Sequence, residues 1–257
     1  MILVVGATGV VGGMISRGLL EEGEDVRVLV RRDSPSSQLV HQGLATSAEE
    51  LIESGAQPVH GDLRDRASLD AALEGIDTVI STANSAMRGG EDNPESVDLE
   101  GNRNLIEAAR GAGVEHFVFV SLLGADPDHP DPFMRGKGQS ESALRESGMD
   151  YTILAPTAFM EFWPAMVVGM PALQGRPVVL VGEGRRRHSF VSNRDVAAFA
   201  VAAVDHPAAR NQHVPIGGPE PLTWREVVAT YERVLGRPIS VEFVAMGEPV
   251  PGLPDPI

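Results

Sequence analysis

The first residues able to do chemistry form a glycine-rich loop at the start of the chain. Gly6, Gly9 and Gly12 follow the spacing Gly-x-x-Gly-x-x-Gly, between an apolar run and a stretch with helical periodicity. The first glycine permits a tight turn, the second lets a pyrophosphate approach the backbone, and the third lets the helix pack closely on the strand. The helix N-terminus adds free amide groups and partial positive charge. This pattern predicts a dinucleotide site, with a plain tight turn as the structural alternative. The other residues assigned to the loop are Thr8, Val10 and Val11.

The end of the second apolar run predicts which dinucleotide binds. The chain there reads Val30-Arg31-Arg32-Asp33, where NAD sites commonly place an acidic residue that bonds the ribose hydroxyls. Arg31 and Arg32 can instead pair with a 2′-phosphate through charge-assisted hydrogen bonds. NADP(H) is therefore predicted in preference to NAD(H). The alternative is a solvated basic pair beside Asp33, which could itself bond the ribose.

Two further segments end at the predicted ligand edge. Asp62 and Leu63 follow the third apolar run; Asp62 could accept a hydrogen bond from an adenine amino group, cap the following helix, or do both. Ala83 and Asn84 follow the fourth run. Small residues at the carboxyl edge of such a sheet leave room for a cofactor.

An alternation of strands and helices must position these residues. Continuous runs of Val, Ile, Leu and Phe are typical of strands buried on both faces, and their alternation with helices predicts a doubly wound parallel α/β sheet. The predicted strands are Ile2–Val5, Val26–Val30, Gln57–His60, Thr78–Ser81, Phe117–Val120 and Tyr151–Leu154. The predicted helices are Gly9–Glu22, Ala48–Ser54, Arg66–Leu73, Ser96–Ala112 and Phe133–Glu146, with residues 33–47 as a loop or loose helix.

The pattern changes after residue 155. Residues 1–155 are predicted to form the dinucleotide-binding domain, and residues 156–257 a smaller α/β substrate lobe interleaved with it, one strand of which could return to the main sheet. The last ten residues hold four prolines, which exclude a helix or central strand and predict an extended tail or a truncated terminus. The lobe's predicted elements are strands Val178–Val181, His213–Ile216 and Ser240–Val244 and helices Asn193–Asp205 and Thr223–Leu235.

Composition excludes several classes of protein. The 257 residues carry a net charge of −15 and no cysteine, so nucleic-acid binding is not expected, and disulfides and Cys-ligated metals are excluded. No apolar run approaches the ~20 residues that span a bilayer, and the first residues lack a basic leader. A cytoplasmic protein without a membrane partner is expected. The seven histidines show no ligand spacing, so no metal site is predicted.

Several segments in order resemble the NmrA-like branch of the atypical short-chain dehydrogenase/reductases, over about residues 1–245. The resemblance implies a Rossmann fold, NADP(H) binding, and a substrate pocket between the carboxyl edge of the sheet and the small lobe. The branch contains quinone, carbonyl and isoflavone-type reductases, and members that only sense the redox state of the cofactor. The segments that carry the resemblance are residues 6–12, 61–65, 97–106, 118–121, 146–154, 195–197 and 216–219.

The wider superfamily reduces carbonyls with Tyr-x-x-x-Lys and a Ser or Thr, and this chain departs from that pattern. Phe133 stands where the Tyr is expected, four residues before Lys137, which is the only lysine among 21 basic residues. Lys137 is assigned to the nicotinamide ribose and to electrostatic stabilisation of an oxyanion. Ser121, at the end of the fifth strand, is expected to donate a hydrogen bond to the substrate or to cap the strand end. His129 is a weaker candidate proton donor.

The segment that begins at Pro156 is expected to run past the nicotinamide. The family often has Arg before this proline and Asn near the segment's end, where this chain has Ala155 and Phe162. The apolar side chains predict either a pocket for a flat hydrophobic substrate, such as a quinone or polyketide-like aromatic, or a helix core. They are Phe159, Met160, Phe162, Trp163 and Met166. The basic run Arg185–His188 is a solvated turn or a site for an anionic substrate.

Three functions remain open from the sequence. The leading one is an NADPH-dependent oxidoreductase that transfers hydride to a small-molecule quinone, enone or carbonyl. The missing tyrosine motivates the second, a non-catalytic NADP(H)-sensing regulator with a protein partner. The third is a cofactor-dependent isomerase or cyclase. The sequence leaves a homodimer open.

Overall fold

A seven-stranded sheet forms the centre of the first of two structural units. In the computed structural model, which describes residues 1–31, 45–86 and 88–248, this unit comprises Met1–Pro156 and Arg194–Pro215. Its strands are β1 (Ile2–Val5), β2 (Val26–Val30), β3 (Gln57–His60), β4 (Thr78–Ser81), β5 (His116–Val120), β6 (Asp150–Pro156) and β9 (Gln212–Ile216). Their order across the sheet is β3-β2-β1-β4-β5-β6-β9, and the first six run parallel. The predicted doubly wound α/β fold is confirmed.

The burial of the strands follows their position in the sheet. Every residue of the central strands β1, β4 and β5 is buried, as expected when helices cover both faces. Three of the four residues of the edge strand β3 are exposed, and Pro58 lies within it. Proline lacks the N–H that a central strand must donate, so an edge is where it is tolerated.

Helices connect the strands of this unit. They are α1 (Val10–Glu21), α2 (Ala48–Glu53), α3 (Arg66–Ala72), α4 (Asn102–Ala112), α5 (Pro132–Glu146) and α7 (Asn193–Asp205). The predicted helix Ser96–Ala112 is two elements, because Pro94–Gly101 is π-helical and leads into α4. Gly113 ends α4 with φ +78°, a left-handed conformation that suits glycine. The predicted loop at residues 33–47 lies mostly outside the described residues.

The second unit comprises Thr157–Asn193 and the chain from Ile216 onward. Strand β7 (Val178–Val181) pairs parallel with β11 (Val241–Val244), and β8 (Arg187–His188) pairs antiparallel with β10 (Leu222–Thr223). Its helices are α6 (Met170–Leu173), preceded by a π-helical turn at Ala165–Gly169, and α8 (Trp224–Leu235). A small core forms from Val168, Val178, Leu180, Phe190, Val227 and Val228. Strands β8 and β10 and helix α6 were not predicted, because two to four residues carry no readable periodicity.

Two details of the later half match the predicted pattern. The strand expected at His213–Ile216 joins the main sheet beside β6, so the predicted return of the chain is confirmed. Thr223 begins α8 with a reciprocal capping box, in which its side chain and that of Glu226 each bond the other's backbone N–H. None of the helices within the described ranges is long and apolar enough to cross a membrane.

His116 in β5 gives the fold a specific pH dependence. Its side chain is fully buried, and Nε2 lies 2.9 Å from Thr152 Oγ1, whose hydroxyl donates to Ala209 O. The Nε2–H must therefore donate to Thr152, and Nδ1 has no hydrogen-bond partner among the described residues. Burial, reinforced by the charge of Arg210, lowers the pKa of His116 to about 4.

We expect His116 to destabilise the fold as the pH falls. The unfolded chain takes up a proton near pH 6.5 and the folded chain only near pH 4, so stability is lost between these values. The loss from pH 7 to 4.5 should be about 2–3 kcal/mol. Urea unfolding at both pH values should show this loss shrinking in His116→Gln, which keeps a donor for Thr152. His206→Gln, at an exposed histidine, is the control; an unchanged pH dependence in His116→Gln would contradict the assignment.

Candidate functional site

The glycine loop between β1 and α1 is closed by direct backbone contacts. Gly6 has φ +85°, which L side chains rarely adopt. A Cβ on Gly12 would lie 2.1 Å from the Gly6 carbonyl oxygen, so the first turn of α1 approaches the end of β1 as closely as its backbone allows. The N–H of Gly9 donates to the same carbonyl at 2.9 Å. The loop therefore tolerates no side chain at its first and third glycines.

The N-terminus of α1 presents backbone rather than side chains. Gly9 is its N-cap, in an extended conformation, and no side chain caps the helix or places an acidic group in its first turn. The first-turn amides of a helix lack intrahelical acceptors and carry partial positive charge. Val10 and Val11 lie in this turn, and Thr8 directly precedes the N-cap. The arrangement fits a diphosphate, since no acidic residue in the first turn of α1 competes for the amides.

The end of β4 is tied to this loop. Thr82 Oγ1 lies 3.3 Å from the carbonyl oxygens of both Val5 and Gly6, and the next residue, Ala83, accepts a hydrogen bond from Lys137 through its carbonyl. Asn84 bonds back to Thr82 O and to the N–H of Ala86. Ala83 and Asn84 therefore follow the glycine loop along the same edge of the sheet.

Arg31 lies at the end of β2 and is paired with a carboxylate. Its guanidinium donates to both oxygens of Asp92, at 2.8 and 3.1 Å. The two residues line an open cleft of about 620 Å³, together with Asp62 and Arg64. Arg32 and Asp33 lie outside the described residues. Sequence reasoning did not find Asp92, because nothing in the local sequence links it to a residue 61 positions earlier.

Asp62 is held by Arg64 rather than by a helix. It accepts three hydrogen bonds from Arg64, from the backbone N–H, Nε and a terminal nitrogen, at 2.9–3.1 Å. These bonds hold the pKa of Asp62 below its ordinary value. The predicted capping role of Asp62 is wrong, because the side chain of Asp65 caps α3 through the N–H of Ala67. The side chain of Leu63 packs in the core.

Lys137 is buried in the first unit, with 2% of its surface exposed. Its Nζ donates to Ala83 O at 2.9 Å, lies 3.5 Å from both Val120 O and Asp98 Oδ1, and sits 4.8 Å from the centre of the Phe119 ring. Burial lowers the pKa of Lys137, and the charge of Asp98 opposes that shift. The ammonium thus links the ends of β4 and β5.

Asp98 is a buried residue that sequence reasoning did not single out. Its Oδ2 accepts from the N–H and hydroxyl of Ser85, while Oδ1 has no hydrogen-bond partner and lies nearest to Lys137 Nζ. Its backbone carbonyl accepts from Ser140 of α5. The sequence offers one signal for this residue, since Asp98 stands between the apolar Val97 and Leu99. Helical periodicity did not predict that its side chain is buried, because the segment is a π-helix.

Ser121, predicted to face the substrate, points to a buried carboxylate. Its hydroxyl donates to Glu141 Oε1 at 2.5 Å. The other oxygen of Glu141 accepts from Arg145 at 2.8 Å and lies 3.6 Å from His213 Nε2. In this structure the hydroxyl proton of Ser121 is thus engaged within the protein. Pro156, also predicted for the cofactor site, ends β6, and its carbonyl accepts from the N–H of Leu123.

Phe133 lines a second cleft, which shares Gly89 and Asp92 with the cleft at Arg31. A cavity of about 460 Å³ is lined by its ring with Ser85, Ala86, Arg88, Gly89, Asp92, Asn93 and Pro94. His129, the weaker candidate proton donor, accepts the N–H of Asp131 through Nδ1 and belongs to the turn that starts α5. Position 133, where the superfamily resemblance places the proton-donating tyrosine, thus carries a phenyl ring without a hydroxyl.

The apolar segment that follows Pro156 lies in the second unit. Phe162 and Trp163 pack edge to face with centroids 5.3 Å apart, and Met160 and Trp163 are exposed. None of its five predicted apolar side chains is buried, so the helix-core explanation is wrong. In the basic run, Arg185 pairs with Glu183, and His188 stacks on Phe190.

A protein-family model for the NmrA-like family matches residues 1–257. This chain belongs to the NmrA-like family. Membership confirms the resemblance drawn from the ordered motifs. The NAD(P)H azoreductase of Xenophilus azovorans is 35% identical over 246 residues, 96% of this chain and 77% of that relative.

Two further curated relatives differ in described role. A (4-alkanoyl-5-oxo-2,5-dihydrofuran-3-yl)methyl phosphate reductase of Streptomyces griseus is 35% identical over 94% of this chain and 76% of its own. The photosystem II assembly factor Ycf39 of Synechocystis is 33% identical over 95% of this chain and 71% of its own. The relatives of this chain thus include both reductases and an assembly factor.

Solved structures agree on the fold. The triphenylmethane reductase of Citrobacter sp., in complex with NADP(H), matches with a TM-score of 0.75 and 22% identity, over 95% of this chain and 79% of its own. The expected Rossmann-type fold is confirmed by this likeness.

The contacts of Gly9 and Gly12 predict that alanine substitutions at these positions affect dinucleotide binding and folding stability separately. Gly12→Ala should cost about 3 kcal/mol, because its methyl group would overlap the Gly6 carbonyl. Gly9→Ala should fold, since its Cβ would lie 3.2 Å from the same oxygen, yet it should weaken dinucleotide binding at least tenfold. Urea unfolding and nucleotide titration measure the two effects. Gly111→Ala, with nothing closer than 3.9 Å, is the helical control; equal stability losses at positions 12 and 111 would contradict the contact argument.

Proposed function

We propose that this chain is an NADPH-dependent reductase of flat, hydrophobic, conjugated electrophiles such as quinones, enones and azo compounds. The observation that carries the proposal is the uncapped glycine turn of α1, on the same sheet edge as Arg31. A diphosphate at α1 and a 2′-phosphate at Arg31 together account for both features. When bound, NADPH supplies a hydride.

The chain's own residues bind and orient that cofactor. The amides of Val10, Val11 and Gly12 take the diphosphate, and Arg31 takes the 2′-phosphate once it is released from Asp92. Asp62 is a candidate partner for the adenine amino group, since its carboxylate is ionised and faces the cleft that Arg31 lines. Ala83 and Asn84 follow β4, and Pro156 ends β6 of the same sheet. All three are assigned to the nicotinamide half.

Lys137 supplies positive charge at the ends of β4 and β5. Only 2% of its surface is exposed, and an ammonium in such surroundings interacts strongly with a negative charge that develops nearby. Its donation to Ala83 O positions the strand end. We assign Lys137 to the nicotinamide ribose and to stabilisation of the reduced substrate anion. Ser121 is assigned as a second donor, which requires its hydroxyl to rotate away from Glu141.

The substrate class follows from Phe133. Reduction of an isolated carbonyl leaves an alkoxide that needs a proton donor in place, and a phenyl ring cannot provide one. Hydride transfer to a quinone or enone leaves an anion whose charge is delocalised over a conjugated system, so water can supply the proton. The azo and oxo-dihydrofuran reductases among the relatives are consistent with conjugated acceptors.

A regulator without catalysis is the second candidate. The absent phenol motivates it, and a family relative described as a photosystem II assembly factor supports it. Such a protein would bind NADP⁺ and NADPH with different affinities, consume neither, and recruit a protein partner.

Stopped-flow loss of NADPH absorbance separates these functions. The panel should contain a quinone, an enone, an azo dye and a simple ketone. We expect turnover with the conjugated acceptors and little with the ketone. Tight nucleotide binding with no consumption by any acceptor would overturn the reductase proposal and favour the regulator.

Phe133→Tyr should broaden the reaction. The new hydroxyl would stand four residues before Lys137, where it can protonate an alkoxide, so we expect ketone reduction to rise about tenfold or more. The rate with a quinone should change less than threefold. Phe133→Leu, which offers no proton, is the matched control. Equal gains for ketone and quinone would contradict the view that proton supply limits the substrate range.

A further inference from the structure

Asp92 lies at the centre of a cluster of arginines in the cleft at the end of β2. Its carboxylate is 2.8 Å from Arg31, 3.4 Å from Arg88 and 3.9 Å from Arg64. Only 16% of its side chain is exposed, against 28% for Arg31. Partial burial raises the pKa of Asp92, but Arg31 and Arg88 outweigh it and hold the pKa below its ordinary value. The carboxylate is therefore charged at neutral pH.

The loop that carries Asp92 has a defined backbone conformation on both sides of this residue. Gly89 and Gly90 have φ of +81° and +66°, and Gly89 forms an antiparallel bridge with Asp92. Asn93 then starts the π-helix with a reciprocal cap to Ser96. The backbone on both sides of Asp92 is thus held by local hydrogen bonds, and its side chain is held by the contacts with the arginines.

Among the described residues, the ion-pair network around Asp92 holds as many carboxylates as guanidiniums, and Asp65 adds a further carboxylate to the cleft lining. Three guanidiniums, of Arg31, Arg64 and Arg88, stand among three carboxylates. The carboxylates are those of Asp62, Glu91 and Asp92. These described residues therefore offer an approaching phosphate no excess of positive charge. The carboxylate of Asp92 already pairs with the guanidinium of Arg31.

We propose that Asp92 is a specificity-determining residue, whose carboxylate occupies the face of Arg31 that a 2′-phosphate would take and so limits the preference for NADP(H) over NAD(H). This inference rests on the proposed function. A 2′-phosphate must displace Asp92 from Arg31 and then lie beside its charge, whereas a free 2′-hydroxyl adds no charge. Asp92 therefore weakens binding of the phosphorylated dinucleotide selectively.

Calorimetric titration of Asp92→Asn with NADP⁺ and NAD⁺ tests this inference without turnover. We expect NADP⁺ to bind about five- to tenfold more tightly than to the wild type, as for loss of a partly screened charge pair. NAD⁺ affinity should change less than twofold. The fragments 2′,5′-ADP and 5′-ADP should reproduce this difference, and the gain should shrink in 0.5 M salt. Asp92→Ser repeats the test if the asparagine variant unfolds.

Glu91→Gln is the matched control. It removes the same charge one residue earlier, but Glu91 is 92% exposed and its ion pair is with Arg64 at 3.3 Å. We expect less than a twofold change in NADP⁺ affinity. In an Arg31→Met background, Asp92→Asn should favour NADP⁺ less than in the wild type, because only the repulsion between Asp92 and the phosphate is left to remove.

The possible outcomes distinguish a failure of the Asp92 inference from a failure of the proposed reductase function. Weaker NADP⁺ binding by Asp92→Asn would overturn the inference and make Asp92 a residue that positions Arg31. Equal gains in Asp92→Asn and Glu91→Gln, or for NADP⁺ and NAD⁺, would also overturn it, since they would reflect net charge alone. Wild-type protein that binds neither dinucleotide would overturn the proposed function.

Discussion

The approach of α1 to the end of β1 is the constraint on which the candidate site depends. With a Cβ on Gly12 only 2.1 Å from the Gly6 carbonyl, the helix can begin at this place only if both positions lack side chains. Thr82 bonds the same carbonyl from β4, so the glycine turn also fixes where β4 ends. The free amides of α1, Ala83 and Asn84 take their positions from that one backbone contact, because each lies within a few residues of it.

A second, buried set of polar contacts joins the elements on the other side of β4. Lys137 of α5 donates a hydrogen bond to Ala83 O. Asp98 of the π-helix accepts from Ser85 and forms an ion pair with Lys137. Breaking a buried pair costs on the order of 3–5 kcal/mol, because the remaining charge stays unpaired. The single lysine is thus a structural tie as well as a candidate catalytic group. A loss of activity on its substitution is informative only beside a stability measurement and a nucleotide titration.

Elements that are encoded by a local residue pattern were predicted from the sequence, whereas side-chain pairs between distant residues were not. Buried strands such as β1, β4 and β5 are continuous apolar runs, so their bounds were predicted to within a residue. The strand β9 was also found, because its apolar end is flanked by turn residues. The pairing of Arg31 with Asp92 and of Ser121 with Glu141 could not be predicted, since their partners lie 61 and 20 residues away. The cap of α3 is a different case, because Asp62 and Asp65 are both close to the helix start and only the backbone conformation shows that Asp65 caps it.

Charge makes these local pairings decisive for function. The chain carries −15, and a dinucleotide phosphate is also anionic, so the average field of the protein opposes binding. That field is screened beyond about 8 Å at physiological ionic strength, whereas backbone amides and a guanidinium act at about 3 Å. In the proposed function, binding comes from the short-range groups at α1 and Arg31, and the carboxylate of Asp92 on Arg31 counts for more than the many acidic residues of the surface. On that proposal, an acidic protein holds an anionic cofactor and tunes its choice with one residue.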